Sequence, residues 1–174
     1  MYQVGEIIVY GNKGVFRIDS IGILDIKWIK PDKNYYTLSS LYREDKILTP
    51  VDTSVFMRPI MTKNEAIDFI LNIPNITEDK FECKNPHTLE SYYQTSLESH
   101  ERFALVKIIK KTYIKKLNAE KSGKKFAQID EKYMKKAENI LHEELAAALG
   151  IQKENVVEYI KTCIDKKEIP NNRV

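Results

Sequence analysis

The chain has 174 residues, of which 43% are hydrophobic and 30% charged, a balance that excludes an unfolded polymer and suits one large or two small packed domains. No apolar run approaches the ~20 residues needed to cross a bilayer, and Met1–Glu6 lacks a basic stretch ahead of an apolar one, so a cytoplasmic chain with no membrane span or secretory leader is expected. The net charge is only +3, but it is unevenly spread: residues 1–61 carry +1, 62–101 carry −5, 102–136 carry +9 and 137–174 carry −2. The basic block is a candidate footprint for a polyanion, and a solvated helix face is the alternative reading of the same lysines.

In chain order, the first sixty residues read as strands. Residues 4–10 are β-branched and end at Gly11-Asn12-Lys13-Gly14, a turn signal. Residues 15–21 alternate apolar and polar, and Gly22 is expected to break that strand. Residues 23–29 form a third segment ahead of Pro31-Asp32, residues 35–42 an aromatic-rich fourth, and residues 47–51 a short fifth. Five short strands in an open sheet leave edges, so closure into a small SH3-like or Tudor-like barrel is expected.

At Thr62 the period changes. Thr62-Lys63-Asn64-Glu65 fits a capping box, and Ala66, Ile67, Phe69, Ile70 and Leu71 form an apolar helical face that stops before Pro74. Helices follow over 89–99, over 102–117 with Leu105, Ile108, Ile109, Tyr113 and Leu117 inward, and over 127–149, closed by Gly150. Asn118–Lys125 reads as the turn between the last two. A final amphipathic helix carries Val156, Val157, Ile160, Cys163 and Ile164. The fold class is therefore α+β: a β-domain over 1–61 and an all-α domain of about five helices over 62–174.

Little here points to catalysis. His87, His100 and His142 have no metal-ligand spacing, and His142-Glu143-Glu144 lacks the second histidine of a zinc-protease helix, with Ala146 in its place. Cys83 and Cys163 stand far apart with no partner motif. No enzyme activity, metal or cofactor is expected.

The front strands carry the more specific signal. Val4-Gly5-Glu6-Ile7-Ile8-Val9-Tyr10, then Lys13-Gly14-Val15-Phe16-Arg17-Ile18, then Tyr35-Tyr36-Thr37-Leu38 and Leu48-Thr49-Pro50-Val51, resemble the CarD family of bacterial transcription regulators and the polymerase-interacting domain of the transcription-repair coupling factor. Leu105-Val106-Lys107-Ile108-Ile109-Lys110-Lys111 and Lys136-Ala137 through Leu145 look like helices of the first group. The resemblance implies a domain that binds the RNA polymerase β-subunit, followed by a helical domain that contacts double-stranded promoter DNA at the upstream edge of the opening bubble. Such proteins alter open-complex stability and carry out no reaction. The expected polymerase contacts are Arg17, Tyr36, Arg43, Lys46 and Arg58. The expected DNA contacts are Lys107, Lys110, Lys111, Lys124, Lys125, Lys132, Lys135 and Lys136, joined by Lys115 and Lys116. The family's wedge tryptophan has no counterpart near Thr88, where Leu89 is the candidate wedge and Tyr92 a candidate stacking ring. A monomer is expected. A polymerase-bound adaptor without DNA contact, and an RNA- or ribosome-associated module, are the alternatives.

Overall fold

The computed structural model describes residues 1–23, 33–78, 81–83 and 85–168, which fall into two compact units, Met1–Ile60 and Met61–Val174.

The first unit is a five-stranded antiparallel sheet made of β1 (Ile7–Tyr10), β2 (Val15–Ile23), β3 (Asn34–Ser40), β4 (Lys46–Pro50) and β5 (Met57–Pro59), in the order β4-β3-β2-β1-β5. Period-2 alternation puts Ile8 and Tyr10, Phe16 and Ile18, and Tyr36 and Leu38 on one face, where they form the core. Each such side chain contributes about 1.5–3 kcal/mol on burial. Gly22 does not break β2. It pairs with Tyr35 in the ladder, and the strand continues to Ile23. The expected strand over 23–29 lies outside the described residues from Leu24 onward. The fifth strand, Met57–Pro59, was not legible in sequence. It is three residues long and ends in a proline, which only an edge tolerates.

Closure stops short of a hydrogen-bonded barrel, since among the described residues no ladder joins β4 to β5. The sheet is nevertheless strongly curled. In a flat sheet, three spacings of ~4.8 Å would hold β1 and β4 about 14 Å apart. Here the Tyr10 hydroxyl on β1 donates to Thr49 Oγ1 on β4 at 3.1 Å. A bulge between Ile18 and Ser20 supplies part of the bend.

The second unit holds α1 (Lys63–Asn72), α2 (Pro86–Glu98), α3 (Arg102–Lys121), α4 (Gln128–Leu149) and α5 (Val156–Glu168). The capping box forms in full: the Glu65 amide donates to Thr62 Oγ1 at 3.3 Å and the Thr62 amide to Glu65 Oε2 at 2.7 Å. Gly150 closes α4 in the left-handed region at φ 68°. Helices α3 and α4 form an antiparallel hairpin, with Arg102 meeting Glu144 at one end and Lys115 meeting Asp130 at the other.

The inward face of α3 differs from the expected one. Leu105, Val106 and Ile108 are buried with Lys111 and Thr112, while Tyr113 is half exposed. Thr112 tolerates burial because its hydroxyl donates to Ile108 O at 2.7 Å. Lys111 tolerates it because its stem is apolar and its ammonium donates to the Phe81 carbonyl beneath the Phe81 and Tyr92 rings.

Candidate functional site

Two surfaces collect most of the sequence-derived candidates. On the sheet, the register sets Arg17 opposite Ser39 and Ser39 opposite Lys46, a transverse row across β2, β3 and β4. Asp19, turned to this side at the bulge, accepts from Arg17 Nε at 3.0 Å and from the Ser39 hydroxyl. Those two bonds, the serine's first, hold its carboxyl below the ordinary range. Beside the row, Arg43 donates to Asp45 Oδ2 at 2.9 Å and to the Lys13 carbonyl, and its guanidinium stands 5.9 Å from the Phe16 ring centre. Lys13, Phe16, Arg43, Asp45, Lys46 and Ile47 line a notch of about 400 Å³ there. Thus Arg17, Arg43 and Lys46 lie between the central strand β2 and the β4 edge.

The other two candidates do not join them. Arg58 sits on β5, at the opposite edge, with Nη1 donating to Pro59 O at 3.3 Å. Tyr36 is 2% exposed, and its hydroxyl accepts from the Tyr2 amide at 3.1 Å. As an aromatic anchor it is corrected to a core residue, because its strand position alternates inward with Leu38. Leu48, part of the motif that carries the resemblance, is 42% exposed on edge strand β4.

On the helical unit the lysines sort into two groups. One group is used by the fold. Lys110 Nζ donates to the carbonyls of Ile73 at 2.8 Å and Ile76 at 2.6 Å, where a cation meets the negative end of α1. Lys111 is 6% exposed. Lys115 Nζ meets Asp130 Oδ1 at 2.7 Å, and the same carboxylate accepts from the Tyr93 hydroxyl at 2.5 Å. Burial, then Asp130, raises the Tyr93 pKa far above that of an ordinary phenol. Lys107 is half buried between α2 and α3.

The other group gathers where α3 ends and α4 begins. Lys116, Lys121, Lys124, Lys125, Lys132, Lys135 and Lys136 are exposed there. Residues 113–136 hold eight lysines against three acids. Lys132 pairs with Glu90 at 2.9 Å and Lys135 with Glu131 at 2.6 Å, both at the surface, where such pairs are weak. Lys116 of α3 acts on Glu131 and Glu138 of α4, so the two helices present lysines to a common side. Lys121 was missed because α3 runs beyond the expected end at Leu117. Leu89 is 6% exposed and so does not project as a wedge, and the Tyr92 ring is stacked on Phe81 with centroids 4.5 Å apart.

The two carboxylates after His142 are structural. Glu144 accepts from Arg102 Nη2 at 2.9 Å and from the Met61 amide at 3.2 Å, and Glu143 from Lys153 at 3.2 Å. His142 itself is held below the ordinary histidine pKa, first by burial and then by the Lys153 charge. The unfolded chain therefore takes up the proton first. Stability is full above pH ~6.5 and falls as pH drops from there toward the depressed folded value. Urea titrations between pH 8 and 5 should show this fall, and His142→Gln should flatten it. An unchanged slope in that variant would assign the loss to other groups.

An open-edged sheet with a charged outer row, followed by a lysine-studded helical hairpin, is the construction of an interaction protein. Residues 2–61 match the family model of the CarD-like/TRCF RID domain. The first unit is thus a domain of that family, and with a helical part behind it the chain is consistent with a CarD-like protein. A domain of this family marks a transcription-related protein that interacts with RNA polymerase, and such interaction domains are typically not enzymes. No match was found among the curated proteins. Among the described residues, no helix is long and apolar enough to cross a membrane, and no group of three or more His, Cys, Asp or Glu residues could hold a metal ion.

Proposed function

We propose that this protein is a transcription regulator whose sheet docks on the RNA polymerase β-subunit and whose basic helical hairpin contacts promoter DNA near the upstream edge of the bubble, changing open-complex stability. The gathering of lysines from α3, the turn and α4 at one end of the hairpin carries the DNA half of this reading. Lysines are point charges, so they supply affinity and position with little base reading. On the sheet, β4 is the better docking edge. Its five residues offer a longer row of backbone groups for pairing with an added strand than the three of β5. Lys46 lies on that edge strand, Arg43 in the turn before it and Arg17 two strands inward, and together they would set specificity and encounter rate.

The test is retention of RNA polymerase by the immobilised full chain. Arg17→Glu, Arg43→Glu and Lys46→Glu are expected to leave circular dichroism unchanged, and at least one to weaken retention about tenfold. Unaltered retention by all three would refute docking through this side.

A second reading, a polymerase-bound adaptor that touches no DNA, is favoured by the burial of Leu89 and the engaged ring of Tyr92. DNA titration at several salt concentrations separates the two.

A further inference from the structure

Two arginines of the first unit share one arrangement. Arg17 and Arg43 each donate Nε to the aspartate two residues on, at 3.0 Å to Asp19 and at 2.9 Å to Asp45. They differ in what they leave over. Arg43 uses part of its terminal edge inside the unit, where Nη2 donates to the Lys13 carbonyl. Arg17 has Asp19 as its sole bonded partner among the described residues, so both Nη nitrogens are open to an outside acceptor on a side chain 54% exposed.

Asp19 is itself held in place. It is the extra residue of the β2 bulge: Ile18 pairs with Leu38 and Ser20 with Thr37, which leaves Asp19 without a ladder partner. Its Oδ1 accepts from Arg17, and its Oδ2 accepts from the hydroxyl of Ser39, the residue opposite Arg17 on β3. With one oxygen claimed from β2 and the other from β3, the carboxylate cannot swing, and its side chain is 27% exposed. A guanidinium is planar, so fixing Nε fixes the direction of the Nη1–Nη2 edge, the fork that matches the two oxygens of a carboxylate. Charge alone gives Asp19 the opposite effect, because an acid beside Arg17 and Lys46 subtracts from any attraction for an acidic group.

We propose that Asp19, seated by Ser39, is a positioning residue that aims the Arg17 fork at a carboxylate of the protein partner. This rests on the reading that the sheet docks on RNA polymerase, and it names the chemistry the partner presents to Arg17: an Asp or Glu side chain taken by two parallel N–H···O bonds. Holding a long side chain in its bound direction spares the entropy of ordering it on association, an effect of about three- to tenfold in affinity.

The experiment measures association and dissociation rates of RNA polymerase on the immobilised full chain. Arg17→Ala is expected to weaken binding about tenfold, and Arg17→Lys nearly as much, because an ammonium keeps the charge and lacks the fork. Asp19→Ala makes the surface more positive, so charge counting expects tighter binding through faster association. Positioning expects the reverse, binding about three- to tenfold weaker through faster dissociation. Ser39→Ala leaves the charge unchanged and should weaken binding about twofold in the same way. In an Arg17→Ala background, Asp19→Ala should no longer weaken binding, since its effect runs through the arginine. None of the three replaced residues is buried, and equal melting temperatures verify that each variant is folded. Full affinity of Arg17→Lys, tighter binding of Asp19→Ala, or an equal loss from Asp19→Ala with and without Arg17 would overturn the positioning role and leave docking of the sheet on polymerase standing. Absence of polymerase binding by the parent chain would remove both.

Discussion

Glu144→Ala lowers the unfolding free energy of the helical unit by about 3–5 kcal/mol in urea titration, the largest single-residue effect expected on the fold. The carboxylate is fully buried and serves two donors from separate segments, Arg102 at the start of α3 and the Met61 amide ahead of α1. Alanine removes the acceptor and leaves a part-buried guanidinium and a buried N–H without their partner, which is the costly half of breaking such a pair. With total stabilities of about 5–15 kcal/mol, the variant should sit near its unfolding midpoint in modest denaturant. Glu144→Gln keeps an acceptor of the same shape and should cost less. Replacing both partners together, Arg102→Met with Glu144→Leu, should recover much of the loss, because no uncompensated charge is left. If Glu144→Ala were as stable as the parent, the buried pair would be energetically idle and the packing of α3 on α4 would rest on its apolar contacts and the Lys115–Asp130 pair.

The second large effect concerns DNA. A triple charge reversal, Lys124→Glu, Lys125→Glu and Lys136→Glu, is expected to weaken duplex binding at least about 100-fold at low salt, measured by fluorescence anisotropy. The salt dependence is the sharper readout. If the exposed hairpin lysines meet about five phosphates, log K falls with log salt at a slope on the order of −4 to −5, and each lost contact removes about 0.9. The triple variant should therefore show a slope nearer −2. Lys110→Glu is the internal control. That lysine caps the carbonyls of Ile73 and Ile76, so its reversal should lower the melting temperature and leave the slope close to that of the parent. A parent slope near zero would remove the DNA half of the proposed function and leave the adaptor reading.

What the sequence made legible follows from how local each cause is. The capping box at Thr62 and the left-handed glycine at position 150 are short-range chemistry, and both form as expected. The core strands β1, β2 and β3 were readable because alternation fixes which side chains face inward. Tyr36 was misassigned because a tyrosine serves equally as anchor or core, and only register decides. The helical site failed in an instructive way. Hydropathy places every lysine outside, yet Lys111 turns inward to a carbonyl and two rings, and Tyr113 turns outward in its stead. The deciding partner, Phe81, lies thirty positions earlier, in a loop that no periodicity marks. Exposed lysines gather around the α3–α4 turn, where Lys132 and Lys135 meet surface carboxylates and stay outside.

One detail of the helical core governs alignment. Leu89, Tyr93 and Leu97 recur every four residues along α2, so an oily channel by itself would admit the helix displaced by a whole turn, about 5.4 Å, in either direction. Only the observed position brings a phenolic oxygen to Asp130 and Lys115. A shift by one turn sets a leucine against that carboxylate and removes its phenolic donor, leaving Lys115 as its partner, at a cost of about 1–3 kcal/mol. The Tyr93–Asp130–Lys115 contact thus acts as a detent: it permits a single seating of α2 on the α3–α4 pair and forbids its neighbours.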